Sequence, residues 1–230
     1  MILRNWMRKE PVTVTSDSSV LEATRIIAET NLRALPVVDE GRLRGMVTRR
    51  DLLGAADLVA RTQDMHEVEY YTHRLKIKDM MIRWPKTMNV DDTVEYCMLK
   101  GQEEQVSFYP VMDGDELVGT VSSVEIFKSL AQILGTGERW RGITLEPMPI
   151  ENGTLGRVAD VVEAQGAVLH GIFTMRLEGS SHKKIILRFE AQDLNQVVTA
   201  LRDAGFPPLE VISEVQACRL NGERVTCPTP

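Results

Sequence analysis

A stretch of this chain occurs twice. Gly45-Met46-Val47-Thr48-Arg49-Arg50-Asp51 returns 74 residues later as Gly119-Thr120-Val121-Ser122-Ser123-Val124-Glu125, and both copies read as a buried strand that ends in a hydroxyl and then a carboxylate. The same offset, without a gap, lays Met7 on Met81, Pro11 on Pro85, Thr13 on Thr87, Asp17 on Asp91 and Val20 on Val94. Further along it lays Pro36-Val37 on Pro110-Val111, Asp39 on Asp113, Leu43 on Leu117 and Val47 on Val121. Two copies at this period predict two supersecondary units that pack on each other.

Each copy predicts the order strand, helix, strand, strand, helix. In the first, Val12-Thr13-Val14 alternates as a short strand, and Ser16-Asp17-Ser18 suits a turn and a helix N-cap. A helix starting near Ser19 places Val20, Ala23, Ile26 and Ile27 along one side, with Glu22, Arg25 and Glu29 largely on the other. Ala34-Leu35-Pro36-Val37-Val38 is an apolar run whose proline favours an edge strand. Asp39-Glu40-Gly41-Arg42 turns the chain, Leu43 to Val47 returns as a hairpin partner, and a second helix opens at Asp51. The second copy begins at Ile77-Lys78-Asp79-Met80-Met81 and follows the same order through a helix from Ser123 to Leu134. Residues 61–76 read as a polar, partly helical connector.

After Leu134 the period breaks. Gly135-Thr136-Gly137-Glu138 reads as a linker, since glycine stops the preceding helix and loosens the backbone. A strand is expected at Ile143 to Met148, a turn at Asn152-Gly153-Thr154, and a helix with Leu155, Val158 and Val162 on one face. Strands follow at 167–177 and 183–190, then a helix capped by Asp193 that buries Leu194, Val197, Val198 and Leu201, then a last strand at Leu209 to Ile212. This order, β-α-β-β-α-β, is that of a ferredoxin-like unit. Residues 217–230 show no period and read as a tail.

Composition narrows the function. With 27 basic against 33 acidic residues and a net charge of −6, the 230-residue chain has no general attraction for nucleic acid or an anionic membrane. No apolar run reaches the roughly 18 residues of a membrane span, and Met1 to Trp6 is too short for a signal peptide, so the reading is a soluble, cytoplasmic protein. Cys97, Cys218 and Cys227 are too few and too scattered for a disulfide framework or a zinc site. His66, His73, His170 and His182 show no metal-ligand spacing, and there is no P-loop, G-x-S-x-G or G-x-G-x-x-G. Nothing recommends a catalytic residue, a catalytic cofactor or a metal.

On the strength of Pro36-Val37-Val38-Asp39 with its echo Pro110-Val111-Met112-Asp113, of Gly45-x-Val47-Thr48-x-x-Asp51 with its echo, and of their tandem arrangement, residues 1–134 resemble the cystathionine-β-synthase-type (CBS) domain pair. By element order and the Gly153-Thr154-Leu155 turn, residues 141–214 resemble an ACT-type domain. The combination is similar to the acetoin-utilisation regulatory family. The resemblance implies an α+β chain: a first CBS domain at 1–60, a second at 77–134, a linker at 135–140 and an ACT-like domain at 141–216. It also implies a homodimer.

The chemistry of Thr48-x-x-Asp51 can be stated from the residues. A hydroxyl at a strand end and a carboxylate at the helix start three residues on face the same side, and a carboxylate can accept from both hydroxyls of a ribose. The free N–H groups of the helix start suit a phosphate, and Arg49 and Arg50 add positive charge. Thr48 and Asp51 would equally serve as a plain helix cap. In the second copy Ser122, Ser123-Val124 and Glu125 stand at these places, so a longer arm is expected to move the carboxylate by about one bond length, and the phosphate charge is lost. The CBS resemblance further implies that adenine lies against Val12, Thr13, Val14, Ala34, Leu35 and Pro36, and in the second copy against Lys86, Thr87, Met88, Phe108, Tyr109 and Pro110. The ACT resemblance implies an amino-acid effector at Asn152, Gly153 and Thr154, where glycine would also serve only to make the turn. The reading is a regulatory sensor of adenosine nucleotides without catalysis of its own. Its rivals are a constitutive scaffold with closed clefts and an amino-acid sensor acting through the last unit.

Overall fold

The computed structural model describes residues 1–61, 74–135, 137, 138 and 140–213, so the tail reading and most of the connector reading lie outside the described residues. The chain divides into two compact units, Met1–Ser129 and Leu130–Pro230.

The first unit holds both copies. A short 3-10 helix (Leu3–Asn5) and β1 (Arg8–Lys9) lead into α1 (Val20–Thr30), the hairpin of β2 (Ala34–Asp39) and β3 (Arg42–Thr48), and α2 (Arg49–Arg61). The second copy runs α3 (Ile77–Met80), β4 (Ile82–Arg83), β5 (Met88–Asn89), α4 (Val94–Glu104), β6 (Phe108–Asp113), β7 (Glu116–Ser122) and α5 (Ser123–Ile133). Repeat-related residues start and stop the helices. The Ser19 hydroxyl accepts the Glu22 N–H at 3.1 Å, and that of Thr93 accepts the Tyr96 N–H at 3.0 Å. Asn31 and Gln105 end α1 and α4 in the left-handed region, at φ 52° and 54°.

The expected strand at Val12 to Val14 is reduced to one residue. Val14 bridges Val37 in parallel, giving its N–H to the Pro36 carbonyl at 3.1 Å and accepting from Val38 at 2.8 Å. The chain then leaves the ladder, because the Ser16 N–H is taken by the Asp39 carboxylate at 2.9 Å. The stretch expected to open the second copy forms the short helix α3, whose start is tied by the Lys76 N–H to Asp79 at 3.0 Å.

The two copies exchange their leading segments. β4 belongs to the second copy by sequence and pairs with β3 of the first, Arg83 opposite Gly45 and Ile82 opposite Met46. β1 belongs to the first copy and pairs with β7 of the second, Lys9 opposite Gly119 and Arg8 opposite Thr120. Leu3 is fully buried in the core of Val90, Val94, Cys97, Tyr109, Val111 and Val121, while Ile77 is fully buried in that of Val20, Ile27, Leu35, Val37, Val47 and Leu52. The Leu3 N–H bonds the Asp92 carbonyl at 2.9 Å, and the Ile77 N–H bonds the Ser18 carbonyl at 3.0 Å. The ion pairs repeat as well, Arg4 to Asp91 at 3.0 Å and Lys78 to Asp17 at 2.7 Å. Neither copy, cut at its sequence boundary, contains the residue that completes its own core.

The first glycine of each motif makes this exchange possible. A Cβ on Gly45 would stand 2.7 Å from Met81 Sδ and 2.9 Å from the Ile82 carbonyl oxygen. One on Gly119 would stand 2.6 Å from Met7 Sδ and 2.8 Å from the Arg8 carbonyl oxygen. The crossing strand passes where a side chain would otherwise be.

The second unit contains β8 (Arg141–Leu145), α6 (Thr154–Glu163), β9 (Val168–Arg176), β10 (Lys183–Glu190), α7 (Leu194–Asp203) and β11 (Pro208–Ile212). Its sheet is antiparallel in the order β11-β8-β10-β9, the arrangement of a ferredoxin-like unit. Ile143, Leu145, Ile185, Leu187 and Phe189 point from the sheet into a core shared with Val158 and Val162 of α6 and Val197 and Leu201 of α7. Asp193 caps α7 through the N–H groups of Asn195 at 2.8 Å and Gln196 at 3.3 Å.

Gly45→Ala and Gly119→Ala are expected to cost about 1–3 kcal/mol each by overpacking. Gly54→Ala, in α2 with open space around its Cβ, is expected to be neutral or stabilising by up to about 1 kcal/mol. Urea denaturation of the three variants checks this, and equal stability of all three would show that the glycines are not there for close approach. Burial pushes the Cys97 thiol up to about 11, so Cys97 is expected to resist iodoacetamide at pH 8 until the protein unfolds. Peptide mass spectrometry after timed alkylation reads this directly.

Candidate functional site

The strand-to-helix corner at the end of β3 is closed by two side chains. Asp51 Oδ2 accepts the Thr48 N–H at 3.0 Å and the Thr48 hydroxyl at 2.6 Å, while Thr48 Oγ1 accepts the Asp51 N–H at 3.2 Å. This reciprocal cap satisfies two backbone donors and fixes the carboxylate at the mouth of α2. Asp51 Oδ1 makes no hydrogen bond among the described residues, which leaves one carboxylate oxygen to accept from a ligand hydroxyl. Arg49 and Arg50 are both exposed. Arg49 reaches back to Asn31 Oδ1 at 3.1 Å, and its N–H bonds the Arg33 carbonyl at 2.8 Å.

The second corner is built alike. Glu125 Oε2 accepts the Ser122 N–H at 3.0 Å and also the Ser122 hydroxyl, and the Val124 N–H bonds Ser122 Oγ at 3.2 Å. The longer arm does not carry the carboxylate outward: it curls so that an oxygen meets the same backbone N–H at the same distance as in the first copy. Ser122 is buried whereas Thr48 is half-buried, so the second corner is the more closed.

The residues expected to line adenine divide into two groups. Val14, Ala34, Leu35, Pro36, Met88, Phe108, Tyr109 and Pro110 are buried. Leu35 and Val14 belong to one copy's core and Met88 and Tyr109 to the other's, while Ala34 and Phe108 meet Met46 in a small cluster joining the two copies. Tyr109 departs furthest from the role of a ligand shelf. Its hydroxyl donates to Glu104 at 3.0 Å, and burial followed by that bond pushes the phenol pKa up. Burial works to raise the Glu104 carboxyl, but hydrogen bonds from Lys86 and Tyr109 outweigh it and hold that carboxyl below its ordinary value. Thr13 and Lys86 are exposed, and Val12 and Thr87 are half-buried. The Thr87 carbonyl accepts from Lys100 Nζ at 3.1 Å.

In the second unit, Gly153 takes φ +83° at the start of α6, so the turn requires it. Thr154 is buried, and its hydroxyl already accepts the Glu151 N–H at 3.1 Å and an Arg157 N–H at 3.3 Å. Asn152 and Gly153 are exposed. The turn is tied by its own neighbours, which is what a purely structural turn needs.

Two cavities open elsewhere on the first unit. The larger, about 640 Å³, is lined by Arg42, Leu43 and Arg44 of β3, by Trp84 to Asn89 except Lys86, and by Met112, Gly114 and Asp115. The smaller, about 370 Å³, shares Leu43, Arg44 and Trp84 and adds Ser16, Asp39, Lys78, Met81 and Arg83. Of the residues expected from sequence to bind a ligand, only Thr87 and Met88 line either one. Arg42, Arg44 and Trp84 were missed, and their signal is a departure from the repeat: Glu116, Val118 and Glu10 stand at the matching positions. Among the described residues no group of three His, Cys, Asp or Glu side chains is arranged to hold a metal ion, and no helix is long and apolar enough to cross a membrane.

Comparison with known proteins agrees with the architecture of the first unit. Residues 3–57 match the CBS domain model. The L-aspartate semialdehyde sulfurtransferase of Methanocaldococcus jannaschii is 29% identical over 127 residues, 54% of this chain and 22% of that protein. The chain spans less than half the length of this and the next two curated relatives. A candidate acetoin utilization protein (AcuB) from Vibrio cholerae shares the fold with a TM-score of 0.50 at 19% identity, covering 59% of this chain and 93% of its own. A CBS domain pair solved with 5′-methylthioadenosine and S-adenosyl-L-methionine is 27% identical at a TM-score of 0.48, covering 57% of this chain and 97% of its own.

Thr48→Ala is expected to lower stability by about 0.5–2 kcal/mol without any ligand, the usual cost of losing an N-cap. Urea denaturation checks it. An unchanged midpoint would mean that the Thr48–Asp51 bonds do not hold the corner in solution.

Proposed function

We propose, from the premise that the first unit is a CBS domain pair, that the chain is a regulatory ligand-binding protein that takes an adenosine nucleotide at the Thr48–Asp51 corner. The observation that carries this reading is the division of labour within one carboxylate. Oδ2 of Asp51 is spent on the cap, which holds the group rigid, and Oδ1 remains an acceptor for a ribose hydroxyl. The exposed Arg49 and Arg50 side chains and the dipole of α2 supply positive potential for the phosphate that follows a ribose, while the N–H groups of Arg49 and Asp51 are already bonded to Arg33 and Thr48. The second corner keeps the cap but replaces the two arginines with Ser123 and Val124, so it takes a less charged adenosyl compound or none.

Signalling follows from the exchange of leading segments. A ligand shifts such an equilibrium only by its differential affinity for the two arrangements. Because Leu3 and Ile77 each sit in the other copy's core, a shift in one copy is felt as repacking in the other. α5 starts at the second corner and continues past the division at Ser129, which makes it the covalent route toward the second unit. That unit, by its ferredoxin-like topology, is read as an ACT-like domain, and the working form as a homodimer.

Titration calorimetry with AMP, ADP, ATP and S-adenosylmethionine tests the site, using Asp51→Asn as the variant because asparagine can still cap the helix. The expected result is micromolar binding of at least one phosphorylated ligand and a loss of tenfold or more in the variant, with the melting temperature little changed. Undiminished affinity in Asp51→Asn removes the ribose role. The scaffold reading is favoured by one feature, that both caps are closed by internal bonds, and it is the outcome if no nucleotide or amino acid raises the melting midpoint.

A further inference from the structure

The repeat supplies an internal control for every surface of the first unit, since a residue needed by the shared backbone ought to have a counterpart 74 positions away. Trp84 fails that test. It lies where the exchanged segment leaves β4, at φ +55°, a conformation rare for a bulky side chain, and it is 90% exposed. The counterpart turn is made at φ +53° by Glu10. The turn therefore does not require an indole, and an apolar ring of this size left in solvent gains nothing from the fold itself.

The same holds for the cations beside it. Arg42 and Arg44 line the cavity of about 640 Å³ together with Trp84, and Arg44 and Trp84 form part of the smaller cavity's lining too. Their counterparts are Glu116 and Val118, so the basic character belongs to this end of one hairpin and not to the hairpin as a motif. The nearby charges are already engaged: Asp39 with the Ser16 N–H at 2.9 Å, Lys78 with Asp17 at 2.7 Å, and Arg83 with the Lys78 carbonyl at 3.2 Å. Arg42 and Arg44 form no ion pair among the described residues. One acid, Asp115, lines the larger cavity.

We propose that this cavity is a second small-molecule site, separate from the Thr48–Asp51 corner, that binds a planar aromatic ligand carrying phosphate, of nucleoside diphosphate size. The indole offers a face for the ring, the two guanidiniums offer forked donors for phosphate oxygens, and Thr87 and Asn89 add polar partners at the rim. The volume falls within the roughly 300–1,000 Å³ of small-molecule pockets. Thr48 and Asp51 line neither cavity, so this site stands or falls independently of the corner.

The probe is ADP, titrated while tryptophan emission is followed in the full chain. Wild type is compared with Trp84→Phe, with the double variant Arg42→Gln/Arg44→Gln, and with Asp51→Asn. The expected result is saturable quenching that disappears in Trp84→Phe, weakens at least tenfold in the double variant, and persists in Asp51→Asn. Adenosine, which lacks the phosphates, and inorganic pyrophosphate, which lacks the ring, are each expected to bind at least tenfold more weakly than ADP. Arg42, Arg44 and Trp84 are exposed, so the variants at these three positions are expected to melt with wild type. Quenching that survives in Trp84→Phe, quenching of wild-type affinity in the double variant, quenching lost in Asp51→Asn, or pyrophosphate binding as tightly as ADP would each overturn the proposal. So would an absence of quenching up to millimolar ADP. Calorimetry registers both sites, so the corner is read as the ADP binding that is lost in Asp51→Asn and kept in Trp84→Phe.

Discussion

The first unit depends on the crossing of two short strands over two glycines. β4 lies against β3 at Gly45 and β1 lies against β7 at Gly119, and in each place a Cβ would overlap a methionine sulfur and a backbone carbonyl oxygen. Close approach at these points carries Leu3 and Ile77 into cores they do not belong to by sequence. A hydrophobic core is insensitive to where in the chain its residues come from. It needs volume filled and backbone donors paired, and the exchanged segments supply both. The two copies are therefore one folding unit.

The corners show one local solution in two surroundings. In both corners one carboxylate oxygen accepts the N–H and the hydroxyl of the residue three before it, although one arm is longer by a methylene; the hydroxyl in turn accepts from the Asp51 N–H in the first corner and from the Val124 N–H in the second. A backbone N–H held at a helix start attracts a carboxylate oxygen strongly enough that the longer arm folds back to reach it. What differs between the copies is thus the surroundings of the acid and not its position. Arg49 and Arg50 stand beside one corner, Ser123 and Val124 beside the other.

Much of the fold was legible because its signals are local. Asp193 caps its helix as expected, Ser19 caps α1 one residue past the expected Ser16-Asp17-Ser18 cluster, and the alternation in β10 puts Ile185, Leu187 and Phe189 on the core side. The motif pair at the two corners was legible for the same reason, since four consecutive residues decide a cap. The lining of the expected adenine cleft was not. Tyr109, Leu35 and Met88 look alike as core and as ligand shelf in sequence, and the choice between those roles is made by what packs over them. For Tyr109 it is made by Glu104, whose carboxylate takes the phenol proton's hydrogen bond. The short strand at Val12 to Val14 was overread because the Asp39 carboxylate, distant in sequence, draws the chain off the ladder at Ser16.

The sequence alone determined that there are two like copies, most of the order of elements within them, the ferredoxin-like order that follows, and that Thr48 and Asp51 can cap a helix. All of these rest on spacing within a few residues or on one constant offset, which a linear string records. Tertiary structure alone decided that the leading segments change places, that Gly45 and Gly119 are there for a passing strand, and that Arg42, Arg44 and Trp84 meet around one cavity. These are contacts between segments far apart in the chain, chosen by whichever packing buries the most apolar surface with its donors satisfied, and no local pattern encodes that competition.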